Sequence, residues 1–150
     1  MSKVNLSFYK VLLVKEKEGA YNIKRTISTP EMAHEAIREI TQIQHEAQEV
    51  FGMLVLDIKK NLIAVHELFR GTINGSLVHP REVFKPAILH NAAAIILFHN
   101  HPSGDPTPSK NDMDVIKKMR KAGKLLGIEV VDNIVVGDDC YVSAREEGLL

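Results

Sequence analysis

The chain has 150 residues, 19 Lys+Arg against 19 Asp+Glu, seven histidines and a single cysteine, with 45% hydrophobic and 25% charged residues. This is ordinary globular composition at a length able to bury roughly 68–70% of the unfolded surface in one core. The lone Cys140 excludes an internal disulfide and a four-thiolate zinc site, zero formal charge weakens the expectation of nonspecific nucleic-acid binding, and the longest apolar run, Ala92 to Phe98, is far too short to span a bilayer.

A soluble, unexported chain in the reducing cytoplasm is therefore expected, with one domain over 1–150. Residues 6–14 (LSFYKVLLV) and 21–27 (YNIKRTI) are rich in β-branched and aromatic residues and flank Lys15 to Gly19, which predicts a hairpin within an N-terminal extension over 1–28. The core of the domain is assigned to 29–150. Ser28-Thr29-Pro30-Glu31 combines a capping hydroxyl with a helix-opening proline, and Ala33, Ala36, Ile37, Ile40 and Ala47 follow at helical spacing.

Val50 to Ile58 and Leu62 to Val65 read as a strand pair with one member well buried. Gly71 and Asn74-Gly75 mark irregular structure, and His79-Pro80-Arg81-Glu82 opens a helix through about Asn91 that Pro86 should weaken or kink. Ala92 to Phe98 has the composition of a buried strand, Lys110 to Leu126 of an amphipathic helix ended by Gly127, and Ile128 to Val136 and Cys140 to Ser143 of two more strands. Lysines 59–60 and the basic run from Lys117 to Lys124 read as solvated faces. Helices interleaved with strands argue an α/β (α+β layered) fold, a mixed central sheet flanked by helices.

The densest chemistry lies in His99-Asn100-His101-Pro102-Ser103-Gly104-Asp105-Pro106-Thr107-Pro108-Ser109, where the buried strand must end. Three of the six prolines stiffen this loop. His99 and His101 stand two residues apart, so on extended backbone both imidazoles share a face. Two neutral imidazoles at a sheet end begin a zinc site, which needs a third, usually carboxylate, ligand and an open position for catalysis. Asp105 and Asp112 both qualify. Asp112 is preferred because it lies in the first turn of the next helix, whose positive end favours a carboxylate. The bland reading is that Ser109 and Asp112 form a capping box, and an outer carboxylate oxygen could serve the cap as well. The other histidines, His34, His45, His66, His79 and His90, are read as surface or satisfied polar residues.

The string His99-x-His101, seven residues, Ser109, two residues, Asp112 resembles the JAMM motif of JAB/MPN-domain metalloproteases. With GTINGSLVHPREVFKPAILHNAAAIILFHNHPSG before it and AGKLLGIEVVDNIVVGDD after, the region from about Glu49 to Leu150 is similar to the bacterial RadC branch, in the short form without a helix-hairpin-helix module. The resemblance implies a JAB/MPN, cytidine-deaminase-like fold. It also implies Zn²⁺ held by His99, His101 and Asp112, Ser109 stabilising an oxyanion, and a glutamate before a buried strand acting as base. Glu49 fits that place, with Glu67 and Glu82 as rivals. The implied reaction is hydrolysis of a peptide or isopeptide bond in a protein substrate. Competing readings are a nucleic-acid-processing or DNA-repair-associated protein, suggested by the literal His-Asn-His, and a catalytically silent MPN binding module. HNH nucleases spread those letters over a ββα unit, and zinc deaminases need a Pro-Cys-x-x-Cys that one cysteine cannot supply.

Overall fold

In the computed structural model, which describes residues 1–72 and 78–150, five strands form one sheet in the order β2-β1-β3-β4-β5. The elements run α1 (Pro30–Thr41), a 3-10 turn (Ile43–His45), β1 (Val50–Leu56), β2 (Leu62–Arg70), α2 (Pro80–Leu89), β3 (Ala94–Asn100), α3 (Lys110–Leu126), β4 (Glu129–Val136) and β5 (Tyr141–Ser143). β1 pairs antiparallel with both β2 and β3, β3 runs parallel to β4 through the α3 crossover, and β5 returns antiparallel to β4. The mixed α/β sheet flanked by helices is the expected class.

Every residue of β1 and of β3 is buried, so both strands carry apolar side chains on both faces. Period-two alternation then splits the core in two. Phe51, Met53, Val55, Ile95 and Leu97 pack under α2 and α3 with Val83, Phe84, Val115 and Met119. Val50, Leu54, Leu56, Ile96 and Phe98 face α1 through Ala33, Ala36 and Ile37. Each large apolar side chain removed from water contributes about 1.5–3 kcal/mol, which makes these two layers the main source of stability. Gly52 permits close packing at the sheet centre, because a side chain there would collide with the Phe98 ring and the His66 carbonyl.

Several boundaries differ from the sequence reading. Residues 6–14 form no strand and are exposed, so the expected hairpin is absent; of residues 21–27, Thr26 forms an isolated bridge with Asn61. α1 stops at Thr41 because Gln42 turns left-handed (φ 56°), which leaves Ala47 outside the helix and exposed. α2 continues through Pro86, since its face of Val83, Phe84 and Ala87 is fully packed and that packing outweighs the lost hydrogen bond. The Asn74-Gly75 turn lies outside the described residues. β3 begins two residues later than expected, because the N–H of Ala92 still bonds to Ala87 and closes the α2 terminus, and it extends through His99 and Asn100. Among the described residues, no helix is long and apolar enough to cross a membrane.

Candidate metal centre

His99 is the sixth residue of β3, on the face that carries Leu97 and Ile95 toward α3, and its ring stacks on Phe51 of β1 with centroids 6.0 Å apart. His101 follows where the chain leaves the sheet. Its N–H bonds to the Val136 carbonyl of β4 at 2.9 Å, which holds the backbone extended for one residue more. The two imidazoles therefore share a face, with Nε2 atoms 3.2 Å apart.

The Pro-rich loop then folds back. The Gly104 N–H bonds to the His101 carbonyl, and the Asp138 N–H from the β4–β5 turn bonds to the Gly104 carbonyl, both at 2.9 Å. Gly104 adopts φ 89°, a conformation that a side chain would strain. This brings α3 in with its N-terminus against the histidines. Ser109 and Asp112 form a complete capping box: Ser109 Oγ accepts from the Asp112 N–H at 3.1 Å, and Asp112 Oδ2 accepts from the Ser109 N–H at 2.7 Å. The same carboxylate meets the histidines, with Oδ1 3.3 Å from His99 Nε2 and Oδ2 3.1 Å from His101 Nε2. Capping and clustering are thus one arrangement rather than alternatives.

Asp105 does not join the group. Its carboxylate turns to Thr107, accepting from the N–H at 3.0 Å and from Oγ1 at 2.7 Å. What Asp105 contributes is its carbonyl, 2.9 Å from His101 Nδ1. A carbonyl only accepts, so Nδ1 carries a proton and Nε2 of the neutral ring presents a lone pair to the cluster. His99 is 2% exposed and its Nδ1 has no hydrogen-bond partner among the described residues, so the polar contacts of this ring run through Nε2.

The Nε2 atoms of His99 and His101 and the carboxylate of Asp112 thus converge, a group whose ligand atoms all lie within 4.8 Å of one another. Such a group needs a proton or a cation at its centre. The Asp112 hydrogen bond, opposed by burial, raises the affinity of His101 for a proton above that of a free imidazole. For Asp112, burial pushes the carboxyl upward, but the hydrogen bonds from His101 and His99 outweigh it and hold it well below the usual carboxylate range. The spacing also fits a metal. Ligand bonds of about 2.0–2.1 Å at tetrahedral angles place neighbouring ligand atoms about 3.3–3.4 Å apart; here the two Nε2 atoms are 3.2 Å apart, and the carboxylate meets one ring with each oxygen, Oδ1 3.3 Å from His99 and Oδ2 3.1 Å from His101.

Glu49 stands half-buried immediately before β1, and its charge is among those that raise His101. The rival glutamates are engaged elsewhere: Glu67 with Arg70 at 2.6 Å, and Glu82 with Lys85 at 3.0 Å. One contributor escaped the sequence reading. Asn100, which points to the opposite face from the two histidines, is 2% exposed; its Oδ1 accepts from the Val50 N–H at 2.7 Å and its Nδ2 donates to the Gln48 carbonyl at 3.0 Å. It ties the backbone on both sides of Glu49 to the end of β3. A buried, side-chain-specific clamp of this kind is signalled in sequence by a polar residue inside an apolar strand.

A family model described as RadC-like JAB domain matches residues 27–149. A UPF0758 protein of Syntrophomonas wolfei is 42% identical over 134 residues, covering 88% of this chain and 57% of its own length. One from Shouchella clausii is 47% identical over 126 residues (84% and 54%), and one from Pseudomonas syringae pv. tomato is 50% identical over 109 residues (73% and 49%). The chain spans about half the length of the curated relatives it matches.

Proposed function

The chain belongs to the RadC-like JAB-domain family, and from that premise we propose that it is a zinc-dependent hydrolase of peptide or isopeptide bonds. The observation that carries this reading is the convergence of His99, His101 and Asp112, with one ligand atom from each lying within 4.8 Å of the others and the two Nε2 atoms 3.2 Å apart. Two imidazoles and one carboxylate are a hard, borderline-soft set suited to zinc, and three protein ligands leave room for water or substrate. When bound there, zinc would polarise the scissile carbonyl and lower the pKa of water to about 7.

The remaining chemistry belongs to the chain. Glu49, fixed in place through the Asn100 clamp on its two neighbours, takes the proton of the attacking water and delivers it to the leaving nitrogen. Ser109 Oγ accepts the capping hydrogen bond on a lone pair and keeps its own hydrogen to donate to the carbonyl oxygen as charge builds there. Asp105 holds His101 in the tautomer that leaves Nε2 unprotonated.

The test uses zinc-loaded protein against a panel of fluorogenic peptides and isopeptide-linked conjugates. Glu49→Gln is expected to keep its zinc and to lose about 10²- to 10⁴-fold in kcat, the usual contribution of a general base. Loss of zinc in that variant, or unchanged hydrolysis, overturns the assigned role. Nicking of supercoiled plasmid that His99→Ala abolishes would replace amide hydrolysis by phosphodiester cleavage.

A further inference from the structure

The N-terminal arm contains Leu6, Phe8, Tyr9, Val11, Leu12, Leu13 and Val14 within nine residues. Phe8 is 100% exposed, and apart from Leu13 at 42% the others are 73% exposed or more. Seven such side chains present roughly 700 Å² of apolar surface or more, beyond the largest patch of about 300–600 Å² on an ordinary monomer. The arm precedes the residues 27–149 that match the family model.

A complementary surface exists on the sheet. β2 is an edge strand, and although it carries Leu62, Ile63, Val65, Leu68 and Phe69, none of its nine residues is buried, whereas β1 beside it is buried throughout. Ala64, Leu68 and Phe69 border one core layer and Leu62 and Val65 the other, so both faces of the sheet are incompletely covered at this edge. The antiparallel ladder that would cover it is already begun: the Ile27 N–H bonds to the Lys60 carbonyl at 2.9 Å and the Leu62 N–H to the Arg25 carbonyl at 2.8 Å. Before Arg25 the chain bends, and among the described residues none pairs with the outer edge of β2 from Ile63 onward.

An added strand must be apolar on both faces to fit there. Residues 6–14 supply apolar side chains to both: in an extended conformation Leu6, Phe8, Leu12 and Val14 lie on one face with Lys10 among them, and Tyr9, Val11 and Leu13 on the other with Ser7. We propose that residues 6–14 of one chain add as a strand to the edge of β2 in a second copy, reciprocally, making a two-fold dimer with exchanged arms. The eleven residues from Lys15 to Arg25 can extend about 35 Å, enough to reach a neighbour. Two arms and the two surfaces they cover exceed the roughly 1,200–2,000 Å² of a stable interface, and the exchange removes both open edges. Backbone pairing supplies the affinity, as in other cases of strand addition, and the alternating side chains supply the register.

Sedimentation velocity of the full chain between 1 and 100 µM is the test, with Phe8→Asp/Leu12→Asp as the variant, since both side chains lie outside the packed core. The expected result is a wild-type dimer and a variant whose dissociation constant rises at least 100-fold, with unchanged zinc content. Hydrogen exchange should show the outward amides of β2 protected in the dimer and open in the variant. A wild-type monomer at every concentration overturns the proposal, including one whose arm is protected by folding onto its own β2. A variant that remains dimeric overturns it equally, because the contact then lies elsewhere.

Discussion

His99 with His101, and His66 with His90, each bring two imidazole Nε2 atoms face to face, at 3.2 Å and at 2.7 Å. The second pair joins β2 to the C-terminus of α2 and has the length of a hydrogen bond in which one ring keeps the shared proton. Burial lowers the affinity of both rings for a further proton, and in His66 the neighbouring His90 adds to the effect. At the first pair Asp112 reaches both rings, the separation opens to that of ligands around a metal, and His101 is shifted in the opposite direction. Two histidines in contact form a clasp when alone and a group that could hold a metal when a carboxylate completes the set, and here the helix that delivers Asp112 makes the difference.

The sharpest way to break this contrast is to remove one ligand. His101→Ala is expected to lower zinc from about one per chain to background and to abolish hydrolysis, measured by metal analysis after gel filtration together with the peptide assay. Next in size is the clamp. Asn100→Ala should keep the zinc while lowering kcat about 10- to 100-fold, as loss of a supporting contact does, and should cost about 1–3 kcal/mol in a denaturant titration through the exposed polarity of Val50 and Gln48.

The smallest effect is expected at the clasp. His90→Phe should leave zinc and hydrolysis unchanged and lower stability by about 1 kcal/mol. Because both rings of the pair bind protons less readily than the unfolded chain, whose imidazoles titrate near about 6.5, the pair contributes fully above that pH and loses its contribution as the pH falls below it. The slope of stability against pH on the acid side should accordingly be shallower in His90→Phe than in the parent, by chemical denaturation at pH 7.5 and 5.5.

The grouping of His99, His101 and Asp112 was legible because its signals are local: two histidines at strand spacing, a stiff loop, and a carboxylate in the first turn of a helix that Ser109 visibly opens. α3 carries its own start and stop, a capping box and Gly127, and its bounds were read as observed. Features that depend on distant partners were harder to read. Residues 6–14 have strand composition, but composition does not name a neighbour, and their side chains stand in solvent rather than in the expected hairpin. Asn100 stands in the sequence only as the unassigned residue of His99-x-His101, since its role rests on backbone groups 50 and 52 residues away. The helix expected from His79 through about Asn91 runs through Pro86 and ends at Leu89, its face of Val83, Phe84 and Ala87 buried.

The central claim is tested most directly by X-ray absorption at the zinc edge on the zinc-loaded chain. The account predicts a first shell of nitrogen and oxygen alone at about 2.0–2.1 Å, with the outer-shell scattering of two imidazoles that disappears in His101→Ala. A sulfur neighbour at about 2.3 Å, which would bring in Cys140, or an imidazole signal that survives in His101→Ala and vanishes in His90→Phe, would contradict it.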